Sequence, residues 1–315
     1  MTMQTFTTND PSSPWLLGAP LYMPGNRRDL LDCANGEKFS MLRSMIFCTE
    51  DALSRTDVDS CIRHLGLCLQ GFKDTPKRFR FIRARNPEIL ARLLELPDIE
   101  KINGFVLPKF NAKVLNAYLD LLQGTPFKIM PTLETQEVFD PGAMIELRQA
   151  LLQEDIFPRI LMLRIGGNDL MNLLGIRRPR TMTLYETPLG NIISQLVTTF
   201  KPHGFSLSAP VFEYLDDANT LQKEIHLDLA HGLTGKTAIH PAQVTTIESC
   251  YAVDSDDYDM ALSIIDQAAP AVFKMHNAMC EVATHQQWAE NIIHRYRCYG
   301  RKNSGRLQEV AEFSI

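Results

Sequence analysis

The stretch RILMLRIGGNDL, residues 159–170, decides how this chain is read. Its apolar run, residues 160–165, has no polar face and is broken only by Arg164. A strand of that kind is covered on both sides, which is the habit of parallel sheets in α/β proteins. The run ends at a Gly166-Gly167 turn, and Asp169 stands where the chain leaves the strand. Just upstream, FKIMPTLET, residues 127–135, ends its own apolar run and delivers Glu134. Two consecutive strands thus each release a carboxylate at the same end. That pair is the candidate for the chemistry.

Working outward, the same alternation recurs. Residues 16–23 read as a strand, followed by a Pro24-Gly25-Asn26 turn and a helix from near Arg27. SMIFC, residues 44–48, is a strand ending in Glu50 and Asp51. The helix expected over 57–72 places Cys61, Leu65, Cys68, Leu69 and Phe72 on one face by three-four spacing. FRFIRARN ends at Arg85-Asn86, and Pro87 opens a helix at its first turn, where the missing N–H costs nothing. INGFVLPKF ends in Pro108-Lys109, before a helix over 112–122. A helix over 141–153 leads into the sixth strand; a helix over 191–200, a strand in GFSLSAPVF, a helix over 219–231 and a strand over 237–240 follow. Eight strands alternating with helices predict a (β/α)8 TIM barrel, with a doubly wound open sheet as the alternative. The polar start reads as a flexible tail over residues 1–15, the barrel as 16–250, and 251–315 as a C-terminal helical extension, helical over 261–269 and 271–297. Such an extension would cap the barrel or reach a neighbouring subunit.

The bulk numbers narrow the function. A chain of 315 residues with 45% hydrophobic content suits one α/β barrel and a large core. A net charge of −5 argues against nucleic acid as the main partner, because phosphate contacts need a basic face. Seven cysteines without CxxC spacing suit buried or surface thiols in a reduced compartment better than a disulfide framework or a zinc site. No apolar run is long enough to cross a bilayer. The expected location is cytoplasmic.

In a barrel the C-terminal strand ends face the active site. Collected there are Asn26, Glu50, Asp51, Arg83 or Arg85, Asn86, Lys109, Glu134, Asn168, Asp169 and His240. Adjacent strands lie about 4.8 Å apart, so Glu134 and Asp169 could share one ion. Two carboxylates with open water positions describe a Mg²⁺ site. Each acid precedes a helical stretch, so the competing reading of each is a helix cap. Arg83 and Arg85 share one strand face and could grip a substrate carboxylate bidentately or pair with Glu50 and Asp51. Lys109 reads either as a ligand for an anionic group or as a rim charge. His240 has no ligand-spaced partner and reads as structural. The Arg177-Arg178-Pro179-Arg180 run reads as a solvated loop, or as a holder of a phosphate or second carboxylate over the mouth.

The ordered set PLYMPGNR, FCTEDAL, FIRARN, GFVLPKF, PTLET, IGGNDL and GKTAIHPAQV resembles the HpcH/HpaI aldolase–citrate lyase superfamily, in its citrate lyase beta-subunit-like branch, from residue 16 to about 244. HQQWAENIIHRYRCYG and the CTED variant resemble the C–C bond lyase offshoot of that branch. The resemblance implies a TIM barrel, Mg²⁺, and reversible cleavage of a C–C bond next to a carbonyl in a 2-oxo or 2-hydroxy carboxylate. By position, Glu134 and Asp169 match its metal carboxylates, Arg83 its substrate-binding arginine, and Glu50-Asp51 its acidic pair. On that basis Arg83, Glu50 and Asp51 are the catalytic candidates; Arg83, Arg85, Lys109 and Asn26 are the substrate-binding ones. The general base stays open between Glu50 and a metal-bound water. Two departures stand out: CTED replaces the D-x-ED spacing, and the long C-terminal segment differs from the one by which related CoA-thioester lyases complete their site. The implied partners are a small carboxylate, free or as a CoA or acyl-carrier thioester, and further copies of the chain, with a trimer suggested by relatives. A metal-free carboxylate-binding barrel and a carrier-dependent subunit of a larger lyase are the rival readings.

Overall fold

Eight parallel strands, hydrogen-bonded in chain order, form the sheet of this computed structural model, which describes residues 13–51, 53–73 and 78–302. They are β1 (Leu21–Pro24), β2 (Ser44–Cys48), β3 (Phe79–Arg83), β4 (Gly104–Leu107), β5 (Lys128–Leu133), β6 (Leu163–Ile165), β7 (Leu207–Ala209) and β8 (Gly235–Lys236). Beyond β8 the chain pairs with β1: Tyr22 N–H donates to Ala238 O at 3.0 Å and Ala238 N–H to Pro20 O at 3.0 Å. These bonds close the sheet into the expected barrel. Helices α1 (Leu30–Asn35), α2 (Val58–Gln70), α3 (Pro87–Leu94), α4 (Ala112–Leu122), α5 (Pro141–Leu151), α6 (Gly167–Leu173), α7 (Leu189–Phe200), α8 (Ala218–Ala230) and α9 (Pro241–Cys250) follow the strands in turn.

Sequence pattern explains most of these elements. Strand β2 is buried along its whole length, as an unbroken apolar run should be in a parallel sheet. On α2 the residues Cys61, Leu65, Cys68 and Leu69, and Phe72 just beyond its end, are all buried, so the three-four stripe faces inward. Asn86 caps α3 by accepting from Ile89 N–H, ahead of Pro87 at the first helical position. Ile46, Phe81, Val106 and Met130, from β2 to β5, join Leu17, Leu161 and Met162 in one cluster that fills the barrel interior beneath the mouth. All seven cysteines are buried thiols. No described helix is long and apolar enough to cross a membrane.

Several boundaries move. The first strand is shorter than residues 16–23, because Pro14–Leu17 forms a 3-10 turn that buries Leu17. Pro14 and Trp15, given to the tail by composition, belong to that turn, while residues 1–12 of the expected tail lie outside the described residues. Helix α1 starts at Leu30 rather than near Arg27, whose guanidinium pairs with Asp29 instead. The last strand is Gly235–Lys236, one step before the expected residues 237–240.

The chain divides into two compact units between Ile247 and Glu248. The second contains α10 (Ser255–Ile265), a hairpin of β9 (Val272–Met275) and β10 (Ala278–Glu281), and α11 (Val282–Tyr299). The hairpin corrects the helix expected over residues 271–297. Its two linking residues, His276 (φ 47°) and Asn277 (φ 61°), both adopt the left-handed conformation that a tight two-residue hairpin turn requires. Val253, Ala261, Ile264, Cys280, Ala289, Ile292 and Ile293 make this unit's own core.

Candidate active site

The strand ends deliver a nearly buried ion cluster. Arg83, the last residue of β3, is 7% exposed and turns its side chain into the mouth. Its guanidinium pairs with the Glu50 carboxylate, donates to Glu134 Oε1 at 3.1 Å and to Asp51 Oδ2 at 3.3 Å, and reaches Tyr22 Oη at 3.2 Å. Burial alone would lower its pKa, but Tyr22, Glu134 and Glu50 outweigh burial and raise it. Lys109, just past β4, adds a second cation, with Nζ at 2.6 Å from Glu50 Oε1, 3.8 Å from Asp51 and 4.0 Å from Asp169. Its backbone is left-handed (φ 49°), a conformation uncommon outside glycine. That twist aims the Lys109 N–H at Glu134 Oε1, 2.8 Å away.

Glu134 is 3% exposed, and both of its hydrogen bonds fall on Oε1. Burial pushes its pKa up to about 7; Arg83 and the Lys109 N–H pull it down, while Asp169 and Glu50 push it up again. The Glu134 side chain packs directly against Gly166. A Cβ on Gly166 would stand 2.3 Å from Glu134 Oε2, and one on Gly167 would stand 2.7 Å from Pro210 Cβ. Gly166 has an ordinary φ of −87°, so these two glycines supply room for the carboxylate and the next loop rather than a strained turn. Asp169 lies in the first turn of α6, whose side-chain cap is absent, and the carboxylate remains half-exposed at the cavity wall. Neither acid is therefore a helix cap.

These groups surround a cavity of about 350 Å³ whose lining includes Asp51, Arg83, Glu134 and Asp169. Glu50 and Lys109 stand against it through their ion pairs. Arg85 does not share the mouth with Arg83: β3 ends at Arg83, so strand alternation no longer governs the next residues. Arg85 donates to Thr49 O at 3.2 Å and to Glu50 O and Leu53 O at 2.9 Å each, and so holds the loop that bears Glu50 and Asp51. Asn26 is exposed in the turn after β1, outside the cavity lining. His240 accepts from Ala242 N–H at 3.2 Å at the start of α9. Of the arginine run, Arg178 is buried and tied to Glu213 and Glu224, and Arg180 pairs with Asp216. Among the lining residues, the polar side chains of Tyr22, Thr132 and Arg164 escaped the sequence reading. Arg164 left a trace as the one polar residue in an otherwise apolar strand; Tyr22 and Thr132 left none, since inward and outward strand positions look alike when both faces are covered. Among the described residues no group of three or more His, Cys, Asp or Glu is spaced to hold a metal ion, which leaves the Glu134–Asp169 pair as the candidate.

A family model, the C–C bond lyase of the TIM-barrel fold, matches residues 11–301. A (3S)-malyl-CoA thioesterase of Cereibacter sphaeroides is 25% identical over 248 residues, covering 76% of this chain and 79% of its own length. A citrate lyase from Burkholderia xenovorans LB400 superposes with a TM-score of 0.69 at 16% identity, over 91% of this chain and 93% of its own. The protein CitE from Mycobacterium tuberculosis, solved with magnesium, acetoacetate and coenzyme A, gives 0.64 at 18%, over 88% and 97%.

Proposed function

Because the chain belongs to the C–C bond lyase family of the TIM-barrel fold, we propose that it is a Mg²⁺-dependent lyase that cleaves a C–C bond in a 2-oxo or 2-hydroxy carboxylate, free or as a thioester. The observation that carries this reading is the state of Glu134: a nearly buried carboxylate that lines the cavity, with both hydrogen bonds on Oε1 and none on Oε2. A hard divalent cation needs few protein ligands, since Mg²⁺ is commonly held by one or two carboxylates and keeps water or substrate oxygens in its other positions. Glu134 and Asp169 fit that demand. The ion, when bound, supplies Lewis-acid stabilisation of the enolate that C–C cleavage next to a carbonyl produces. The chain's own residues do the rest. Arg83 and the Lys109 N–H fix Glu134 through its Oε1. Glu50 anchors both cations, and Arg85 holds the loop that carries Glu50.

A second reading has its own support: the thioesterase relative suggests that the same mouth hydrolyses a CoA thioester without breaking a C–C bond. The two differ in what is released. Malyl-CoA would yield a short oxo acid and an acyl-CoA by the first route, and free thiol with malate by the second. Calorimetric titration with Mg²⁺ tests the site itself. The parent should bind the ion, and Asp169→Asn and Glu134→Gln should each weaken it by about tenfold or more, the scale of losing a charge-assisted ligand. Mg²⁺ binding of equal strength in parent and both variants removes the metal assignment.

A further inference from the structure

One cation in the mouth has no acid of its own. Arg164, in the middle of β6, is 4% exposed and lines the cavity, yet among the described residues it makes no salt bridge. Its guanidinium touches the Thr237 hydroxyl, approaches Met130 Sδ at 4.0 Å, and lies 5.4 Å from the centre of the Tyr22 ring. Arg83 is the opposite case, surrounded by Glu50, Glu134 and Asp51. A guanidinium that already has three carboxylates around it has little left to offer a fourth. A desolvated one with a hydroxyl and a ring but no acid is costly to keep, and an arriving anion offsets that cost.

The neighbours of Arg164 are equally unsatisfied. In the strand register Thr132 of β5 lies opposite Arg164, and Arg164 lies opposite Ser208 of β7, so the three form one row across adjacent strands on one face of the sheet. Thr132 Oγ1 and Ser208 Oγ are both buried and have no hydrogen-bond partner. Buried hydroxyls are normally paired, because an unmade bond costs about 1–3 kcal/mol. Arg164 and Thr132 line the cavity, and Ser208, outside its lining, completes the row beside Arg164, so a cation without an acid and two unpaired hydroxyls stand on neighbouring strands where an oxyanion could be held.

We infer that Arg164, Thr132 and Ser208 form a subsite for a second carboxylate, so that the acid handled in this mouth is a dicarboxylate with one end at Glu134 and Asp169 and the other on this row. The inference rests on the metal-site reading for the first end only. Arg164 is then the residue that determines specificity, and Arg83 organises the metal-side acids.

Malate and lactate, which differ by one carboxylate, are the probes for the full chain loaded with Mg²⁺. Calorimetry should show malate binding at least about tenfold more tightly than lactate, the worth of one charge-assisted contact. Arg164→Met should abolish that preference while leaving lactate and Mg²⁺ affinity unchanged. Should that variant fail to fold, the Thr132→Val, Ser208→Ala double variant should weaken malate several-fold and spare lactate. A parent that does not prefer malate, or a preference that survives these substitutions, overturns the subsite. If instead Asp169→Asn and Glu134→Gln both leave Mg²⁺ binding intact, the metal reading fails and succinate without metal decides. Binding to the parent that is lost in Arg164→Met keeps the subsite, and no binding to the parent removes it.

Discussion

Two ion clusters in the barrel unit are built from the same residue types and come to opposite ends. One is the mouth, with Arg83, Lys109, Glu50 and Glu134. The other joins Arg178 from the connection after α6, Glu224 and Asp228 from α8, and Lys236 from β8. In the second every carboxylate oxygen is used. Glu224 Oε2 accepts from Arg178 and from Leu184 N–H at 2.8 Å, and Oε1 accepts from Lys236 at 2.8 Å. Asp228 takes Tyr185 Oη on Oδ1 at 2.7 Å and Lys236 on Oδ2 at 3.0 Å. Burial pushes Glu224 up, but Lys236 and Arg178 outweigh it and hold its pKa below the ordinary value. Burial pushes Asp228 in the same cluster up to about 6. In the mouth, Glu134 leaves Oε2 unbonded, and a third cation, Arg164, has no acid. A closed cluster holds a structure together; an open one is waiting for a ligand.

The largest effect comes from opening the closed cluster. Glu224→Leu leaves Arg178 and Lys236 buried without their shared acid, and breaking a buried pair by removing one partner costs about 3–5 kcal/mol. A urea titration should show the midpoint fall accordingly. Glu134→Gln, in the open cluster, should keep most of the stability and lose the Mg²⁺ affinity instead. If both variants lose stability equally, the distinction between the clusters fails.

The same contrast marks what could be read in the sequence. The barrel was legible because apolar runs such as residues 44–48 and 160–165 carry their burial in their composition, and each ends in a turn. Glu134, Asp169, Arg83 and Lys109 were legible because strand ends fix which residues reach a mouth. Arg85 was not, because β3 stops two residues earlier and alternation then predicts nothing. The hairpin after α10 was hidden for a related reason: AVFKM and AMCEV read equally as helix faces, and only the two left-handed residues His276 and Asn277 show the reversal. The closed cluster could not be found at all, since Arg178 lies in the connection after α6 and Glu224 and Asp228 lie within α8, away from the strand ends that fix the mouth.

An intermediate effect is set by pH. Glu134, pushed to about 7 by burial, keeps its proton in the folded protein up to that pH, whereas a free glutamate loses it near 4.5. Its contribution to metal-free stability is therefore fully present below about 4.5 and is lost as pH rises through about 7. Metal binding runs the other way, because the ligand must be deprotonated. Mg²⁺ affinity should rise about tenfold between pH 6 and pH 8, and the melting temperature gained from saturating Mg²⁺ should grow over the same range. An affinity flat across that range would take Glu134 out of the ligand set.

The smallest effect is expected two residues from one of the largest. Arg180, like Arg178, pairs with a carboxylate, at 2.9 Å from Asp216, and it stacks 4.9 Å over Tyr214. In sequence the two arginines are equivalent members of one basic run. In the structure Arg178 is 2% exposed, while the side chains of Arg180 and Asp216 are 61% and 68% exposed. Exposed pairs gain little, because water screens the charges and long side chains lose freedom to hold one geometry. Arg180→Ala should therefore leave the unfolding midpoint unchanged within error, and Arg178→Ala should lower it by an amount comparable to Glu224→Leu. A matching loss in both would mean that the loop is held by its charge as a whole rather than by the one guanidinium that is sealed from water.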